Sequence, residues 1–128
     1  MERDWDLLRE LLLKIEAAKQ PSFEELMGPG RSNFEIDSAA YQIRMLIDDA
    51  MYLRGVDANY MGGHNWLNLE ITWQGHEFLD NVRDPEIWSK TKAGAKKAGN
   101  LSVDILSALA KGFIKEKIKK HTGVEIEL

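Results

Sequence analysis

Apolar residues recur every three or four positions near the start of the chain. Trp5, Leu8, Leu11, Leu12 and Ile15 fall on one side of a helical wheel with charges between them. Asp4 suits an N-cap and Pro21 a stop, so the pattern predicts a helix over about 4–19. In 21–33, "PSFEELMGPGRSN", Ser22 and Glu25 have capping-box spacing and fit a short helix over 22–27 that Gly28-Pro29-Gly30 breaks. "NFEI" fits a brief strand. A second long helix is expected over about 37–52, with Ala39, Ala40, Ile43, Leu46, Ile47 and Ala50 inward and Tyr41, Arg44, Met45, Asp48 and Asp49 outward.

The period then changes. "LRGVDA" and "WLNLEIT" read as two strands, the second nearly alternating, and "NYMGGHN" between them has the Gly and Asn of a hairpin tip. Thr72 caps a helix over about 73–82 with Phe78, Leu79 and Val82 inward. Gly75, one turn in, lets that helix approach neighbouring backbone. Asp84-Pro85 restarts the chain into a helix that Gly99-Asn100 ends near 98. A last helix, about 102–120, places Val103, Leu106, Ala110, Phe113 and Ile114 on one stripe. The tail "HTGVEIEL" alternates Val124, Ile126 and Leu128 with glutamates, and is read as a pairing strand or a frayed end.

This order predicts a mainly α fold with a small β-hairpin: a winged helix-turn-helix core over 1–83, then a C-terminal helical extension over 84–128 that packs on the core or dimerises it. "RDWDLLRELLLKIE", "YQIRMLIDDAMYLRGVD" and above all "ITWQGHEFLDNVRDPEIWSKTK" resemble an uncharacterised bacterial and prophage family, domain of unknown function 2513. The likeness spans most of 3–98. It implies a winged-helix-like fold and a phage or prophage context, with no assigned catalytic residues. The chain departs from that pattern at "DDAMYLRG" and "ELMGPGRSN", both in the helix-turn-helix region.

Composition narrows the chemistry. With 128 residues, 44% hydrophobic and 30% charged, one domain or a domain with an appendage is expected. No apolar run approaches the roughly 20 residues of a membrane span, and no signal-peptide core opens the chain, so a cytoplasmic protein is expected. The absence of cysteine excludes disulfides and thiolate chemistry. Charge is lopsided: residues 1–80 hold 7 Lys/Arg against 15 Asp/Glu, and residues 81–128 hold 10 against 6.

The candidate chemistry is sparse. His64, His76 and His121 lack the spacing of a zinc site, so neither metal nor cofactor is expected. Glu77 and Asp80 share a helix face but read better as solvated, with Asp80 meeting Arg83. No phosphate loop is present, and no serine has an obvious base. The expectation is therefore a non-enzymatic binding protein. Trp73 is expected to be half exposed, and Trp66 and Trp88 to be packed.

Two partners compete. DNA binding by an accessory or regulatory protein would use Ser38, Tyr41, Gln42 and Arg44 on the second long helix. Arg31, Ser32 and Asn33 precede that helix, and Asn59, Tyr60, His64 and Asn65 lie at the hairpin tip. Asp37, Asp48, Asp49 and Asp57 would repel phosphates. The alternative is a phage-encoded protein-interaction factor whose acidic surface docks on a host defence or transcription complex. Lys111, Lys115 and Lys119 make a strip on the last helix, read first as solvated and second as a contact for nucleic acid or an acidic partner. Exposure of Leu109 or Ile118 there would favour a homodimer through the C-terminal helices.

Overall fold

The computed structural model describes residues 1–127; Leu128, the end of the alternating tail, lies outside the described residues. Six helices and two strands follow in the order α1 (Trp5–Ala17), α2 (Phe23–Met27), α3 (Asn33–Asp48), β1 (Leu53–Asp57), β2 (Trp66–Ile71), α4 (Trp73–Val82), α5 (Pro85–Ala98) and α6 (Val103–Thr122). The fold is mainly helical with one antiparallel hairpin. Among the described residues, no helix is long and apolar enough to cross a membrane. Two compact units are present, Met1–Leu79 and Asp80–Leu128.

In the first unit the helix starts are set by side-chain caps. Asp4 accepts from the Leu7 amide at 3.1 Å and Ser22 from the Glu25 amide at 3.1 Å, which are the expected starts of α1 and α2. α3 corrects two expectations. It begins at Asn33 rather than 37 and ends at Asp48, so "NFEI" is its first turn and not a strand. The cause is a second Ser-x-x-Glu: Ser32 Oγ accepts from the Glu35 amide at 3.1 Å and donates to a Glu35 carboxylate oxygen at 3.3 Å. The helix buries Ala39, Ala40, Ile43 and Leu46 as expected, and Gln42 as well.

The hairpin pairs Leu53 with Ile71, Arg54 with Glu70, Val56 with Leu67 and Asp57 with Trp66. Between the middle two pairs, β2 carries one more residue than β1. Asn68 sits there with φ +53, and the bulge turns the strand by one position. Trp66, Leu69 and Ile71 thus share the buried face although 66 and 69 differ by three, and Leu67 points outward. The freed Leu69 amide donates to the Pro21 carbonyl at 2.9 Å. Gly55 faces the bulge; a Cβ there would lie 2.9 Å from Leu69 Cδ2.

α1, α3 and the inner hairpin face enclose the core around Leu11, Leu12, Ile43, Leu53 and Leu69. Phe23 of α2 meets Trp66 edge-on at 5.5 Å, and Phe78 of α4 lies between Tyr52 and Trp5 at 5.1 and 5.6 Å. The junction into α4 is tight. Thr72 Oγ1 caps the Gly75 amide at 3.1 Å and donates to the Met51 carbonyl at 2.6 Å, while the Thr72 amide donates to the Tyr52 carbonyl at 3.0 Å. Gly75 has the expected purpose, because a Cβ there would overlap the Tyr52 carbonyl oxygen.

In the second unit Asp84 caps α5 through the Glu86 and Ile87 amides, and Gly99 closes it in the left-handed region with φ +70. α6 returns antiparallel to α5. Its Leu109 reaches Gly94, and its Lys117 donates to the second Asp84 oxygen at 2.6 Å. Ile87, Trp88, Thr91, Ala95, Leu106 and Ala110 are buried; Phe113, Ile114, Leu109 and Ile118 are half-buried. The tail over 123–127 forms no strand, so that alternative is overturned. The left-handed Gly123 ends α6, and His121 belongs to its last turn.

Candidate binding surface

α2, the first turns of α3 and the hairpin tip enclose an open groove of about 760 Å³. Phe23, Met27 and Ile36 give it an apolar floor, Glu24 and Asp37 supply carboxylates, and Tyr60 and His64 form the wall at the tip. The tip is closed by mutual amide–carbonyl bonds between Tyr60 and Gly63. A Cβ on Gly63 would run into the Tyr60 ring, so a larger residue there would push that exposed ring aside. Tyr60, Met61 and Phe34 are strongly exposed.

The side chains expected to meet DNA are mostly committed to their own chain. His64, half-buried, places Nε2 3.2 Å from Asp37 Oδ1 and Nδ1 3.3 Å from Asn59 Oδ1, tying the tip to α3. Asn65 Oδ1 accepts from the Glu24 amide at 3.3 Å. Arg31 donates to the Met27 carbonyl at 3.1 Å and to Glu35 at 3.2 Å; this holds Glu35 below the usual carboxylate range, with help from the Ser32 bond. Arg44 lies over the Trp66 ring at 5.3 Å. Gln42 is the clearest correction, because at 2% exposure it offers nothing to a ligand. Its Oε1 accepts from the Asp4 amide and its Nε2 donates to the Glu2 carbonyl, both at 3.0 Å, anchoring the N-terminus. Tyr41 and Tyr60 are exposed, and Ser38 is half-buried.

Carboxylates dominate what remains outside: Glu24, Asp37, Asp48, Asp49 and Asp57 are exposed. Two bonds from Asn59 hold Asp57 ionised below its usual range. On the hairpin's outer face Arg54 pairs with Glu70 at 2.7 Å, which lowers the Glu70 value, and Val56 faces Leu67 with both exposed.

Elsewhere, Asp80 meets Arg83 at 2.9 Å as expected, and His76 lies 3.5 Å from Glu16. Among the described residues no three His, Asp or Glu side chains converge to hold a metal ion. Trp66 and Trp88 are buried; Trp73 is 79% exposed, well beyond half. On α6, Lys111 is exposed, Lys115 is half-buried and Lys119 pairs with Glu125 at 3.3 Å.

The groove was not legible in the sequence as a site. Its two ends lie more than twenty residues apart, and only the Gly-Asn tip signalled one of them.

A family model described as "Hypothetical protein (DUF2513)" matches residues 2–101. The chain is also similar to an "Uncharacterized protein" of Haemophilus influenzae, 29% identical over 119 residues, which covers 92% of this chain and 99% of that relative. No solved structure matches.

Proposed function

The chain belongs to the DUF2513 family, and we propose that it is a non-enzymatic protein-interaction module, winged-helix-like in its first unit. On this reading it is a cytoplasmic phage or prophage factor. Its acidic face docks on the basic surface of a host defence or transcription complex. The single observation that carries this is the fate of the polar groups around α3. Gln42 is turned inward, Arg31 and Asn65 are bound to neighbours and Arg44 lies over Trp66, whereas Glu24, Asp37, Asp48 and Asp49 face solvent. A surface of this sign repels a duplex and steers a basic protein patch toward it.

The test is capture of a host complex that resists nuclease treatment and is released by salt. A folded Glu24→Lys, Asp37→Lys double variant is expected to lose it. Nuclease-sensitive capture, or capture indifferent to the two reversals, refutes the reading.

Duplex binding stays as a second reading on one observation, transferred from α3 to the second unit. Lys96, Lys97, Lys111, Lys115 and Lys120 form no ion pair among the described residues. Low-salt anisotropy with a labelled duplex tests it, with Lys111→Glu, Lys115→Glu as the variant. A homodimer through α5 and α6 would use half-buried Leu109 and Ile118, and sedimentation at rising concentration tests that.

A further inference from the structure

Trp73 and Met51 are exposed apolar side chains that the fold does not ask for. Trp73 opens α4 at the first helical position, where a polar residue or proline serves the backbone as well. Met51 follows α3 with φ +58 and is 61% exposed. The Tyr52 amide closes back on the Leu46 carbonyl at 2.9 Å around it, a helix ending that glycine fits best. Their backbones are adjacent through Thr72, whose hydroxyl donates to the Met51 carbonyl and which immediately precedes Trp73.

Three carboxylates lie close along the chain, while the nearest basic side chain on this stretch, Arg54, is paired with Glu70. Asp48 and Asp49 immediately precede this turn, and Glu77 stands one helical turn beyond Trp73; all three are exposed. Tryptophan and methionine are enriched at the centres of protein interfaces, where charged groups form the rim. An indole face also attracts a guanidinium or ammonium group. An occupant must therefore match an aromatic face, a flexible apolar side chain and a carboxylate rim at once.

We propose that Trp73 and Met51 form the anchor of a docking site for a protein segment that presents an arginine or lysine beside an aliphatic residue. The cation lies over the indole, Asp48, Asp49 and Glu77 balance its charge, and the aliphatic residue packs on Met51. The proposal rests on the acidic-face reading above and supplies that face with its contact point.

The experiment uses the full chain and a short labelled peptide of alternating arginine and leucine, followed by anisotropy. Trp73→Ala and Met51→Ala are expected to weaken binding ~10-fold or more, as truncation of an interface anchor does. Glu77→Lys should weaken it in the same direction. Trp73→Phe, which keeps a ring face, should lose less. A peptide with citrulline for arginine should lose as much as Trp73→Ala. Both anchors are exposed, so circular dichroism should show all variants folded. Unchanged binding by Trp73→Ala, with loss in Glu24→Lys, Asp37→Lys, overturns this anchor and leaves the acidic-face reading standing. No binding by the unaltered protein overturns both. A dimer of the protein alone that Trp73→Ala dissociates overturns the proposal by making a second copy the occupant.

Discussion

Replacing Gly75 by alanine should destabilise the protein, although alanine is the better helix former. Gly75 lies in the first turns of α4 with ordinary helical φ, so the change alone would favour the helix by about 1 kcal/mol. Against this stands the space. The new Cβ would overlap the Tyr52 carbonyl oxygen, lie 2.7 Å from Ile71 Cγ2 and 3.0 Å from the Tyr52 carbonyl carbon. The first and third are backbone atoms, which no rotamer change can move. α4 must therefore shift away from the Met51–Tyr52 segment.

That shift stretches the Thr72 bonds to the Met51 and Tyr52 carbonyls, worth about 1 kcal/mol each. It also loosens Phe78 from Tyr52 and adds an overpacking cost of about 1–3 kcal/mol. After the propensity gain, a net loss of roughly 2–4 kcal/mol remains, which lowers Tm by roughly 10 °C. Urea and thermal unfolding followed by circular dichroism measure it. Gly112→Ala is the matched control: it lies in α6 with nothing within 4 Å of the added Cβ. It should stabilise by up to about 1 kcal/mol. If Gly75→Ala behaves like Gly112→Ala, the close approach of α4 to the Tyr52 backbone is wrong.

Gln42→Ala removes both anchors of the N-terminus and should cost about 2 kcal/mol in urea unfolding, with faster hydrogen exchange at the Asp4 amide. Thr91 is fully buried and its hydroxyl has no partner among the described residues; Thr91→Val keeps the shape and should raise stability by about 1 kcal/mol in the same assay. Lys117 holds Asp84 below the ordinary carboxylate range, and Asp84 in turn raises Lys117. The Asp84 contribution is therefore complete above its unfolded value near 3.8 and is lost as pH falls through the lower folded value. The Lys117 contribution is complete below 10.5 and is lost as pH rises through the higher folded value. Asp84→Asn retains the α5 cap but not the ion pair, so its acid-side unfolding profile should be flatter than that of the unaltered protein.

Helices were legible wherever a cap and a stripe agreed, as at Asp4, Ser22, Thr72 and Asp84-Pro85. The start of α3 shows how that evidence is outweighed. Phe34 and Ile36 alternate with Glu35 and Asp37, which imitates a strand, while Ser32 and Glu35 repeat the spacing that starts α2. The cap wins because it satisfies amides that a four-residue strand without a partner would leave open, and Phe34 stays in solvent as a result. The bulge in β2 was illegible for a different reason. Leu67 looks like a core residue by type, and only pairing with β1 reveals that the extra residue turns it outward.

The candidate surface was least legible because side-chain type does not reveal side-chain commitment. Gln42, Arg31 and Asn65 are the residue types a duplex reader uses, yet Gln42 spends both ends of its amide inside the chain, and Arg31 and Asn65 each bond to neighbouring groups. Gln42 does so with backbone 38 and 40 positions away, a pairing no local pattern carries. Carboxylates are the opposite case. An exposed aspartate without a basic neighbour keeps its charge wherever the backbone goes, so the acidic balance of residues 1–80 survived folding as a surface property. Only the exposed residues of α3 can meet a partner, and most of the charge they carry is negative. On the proposed reading, the sign of that surface is what a partner would meet first.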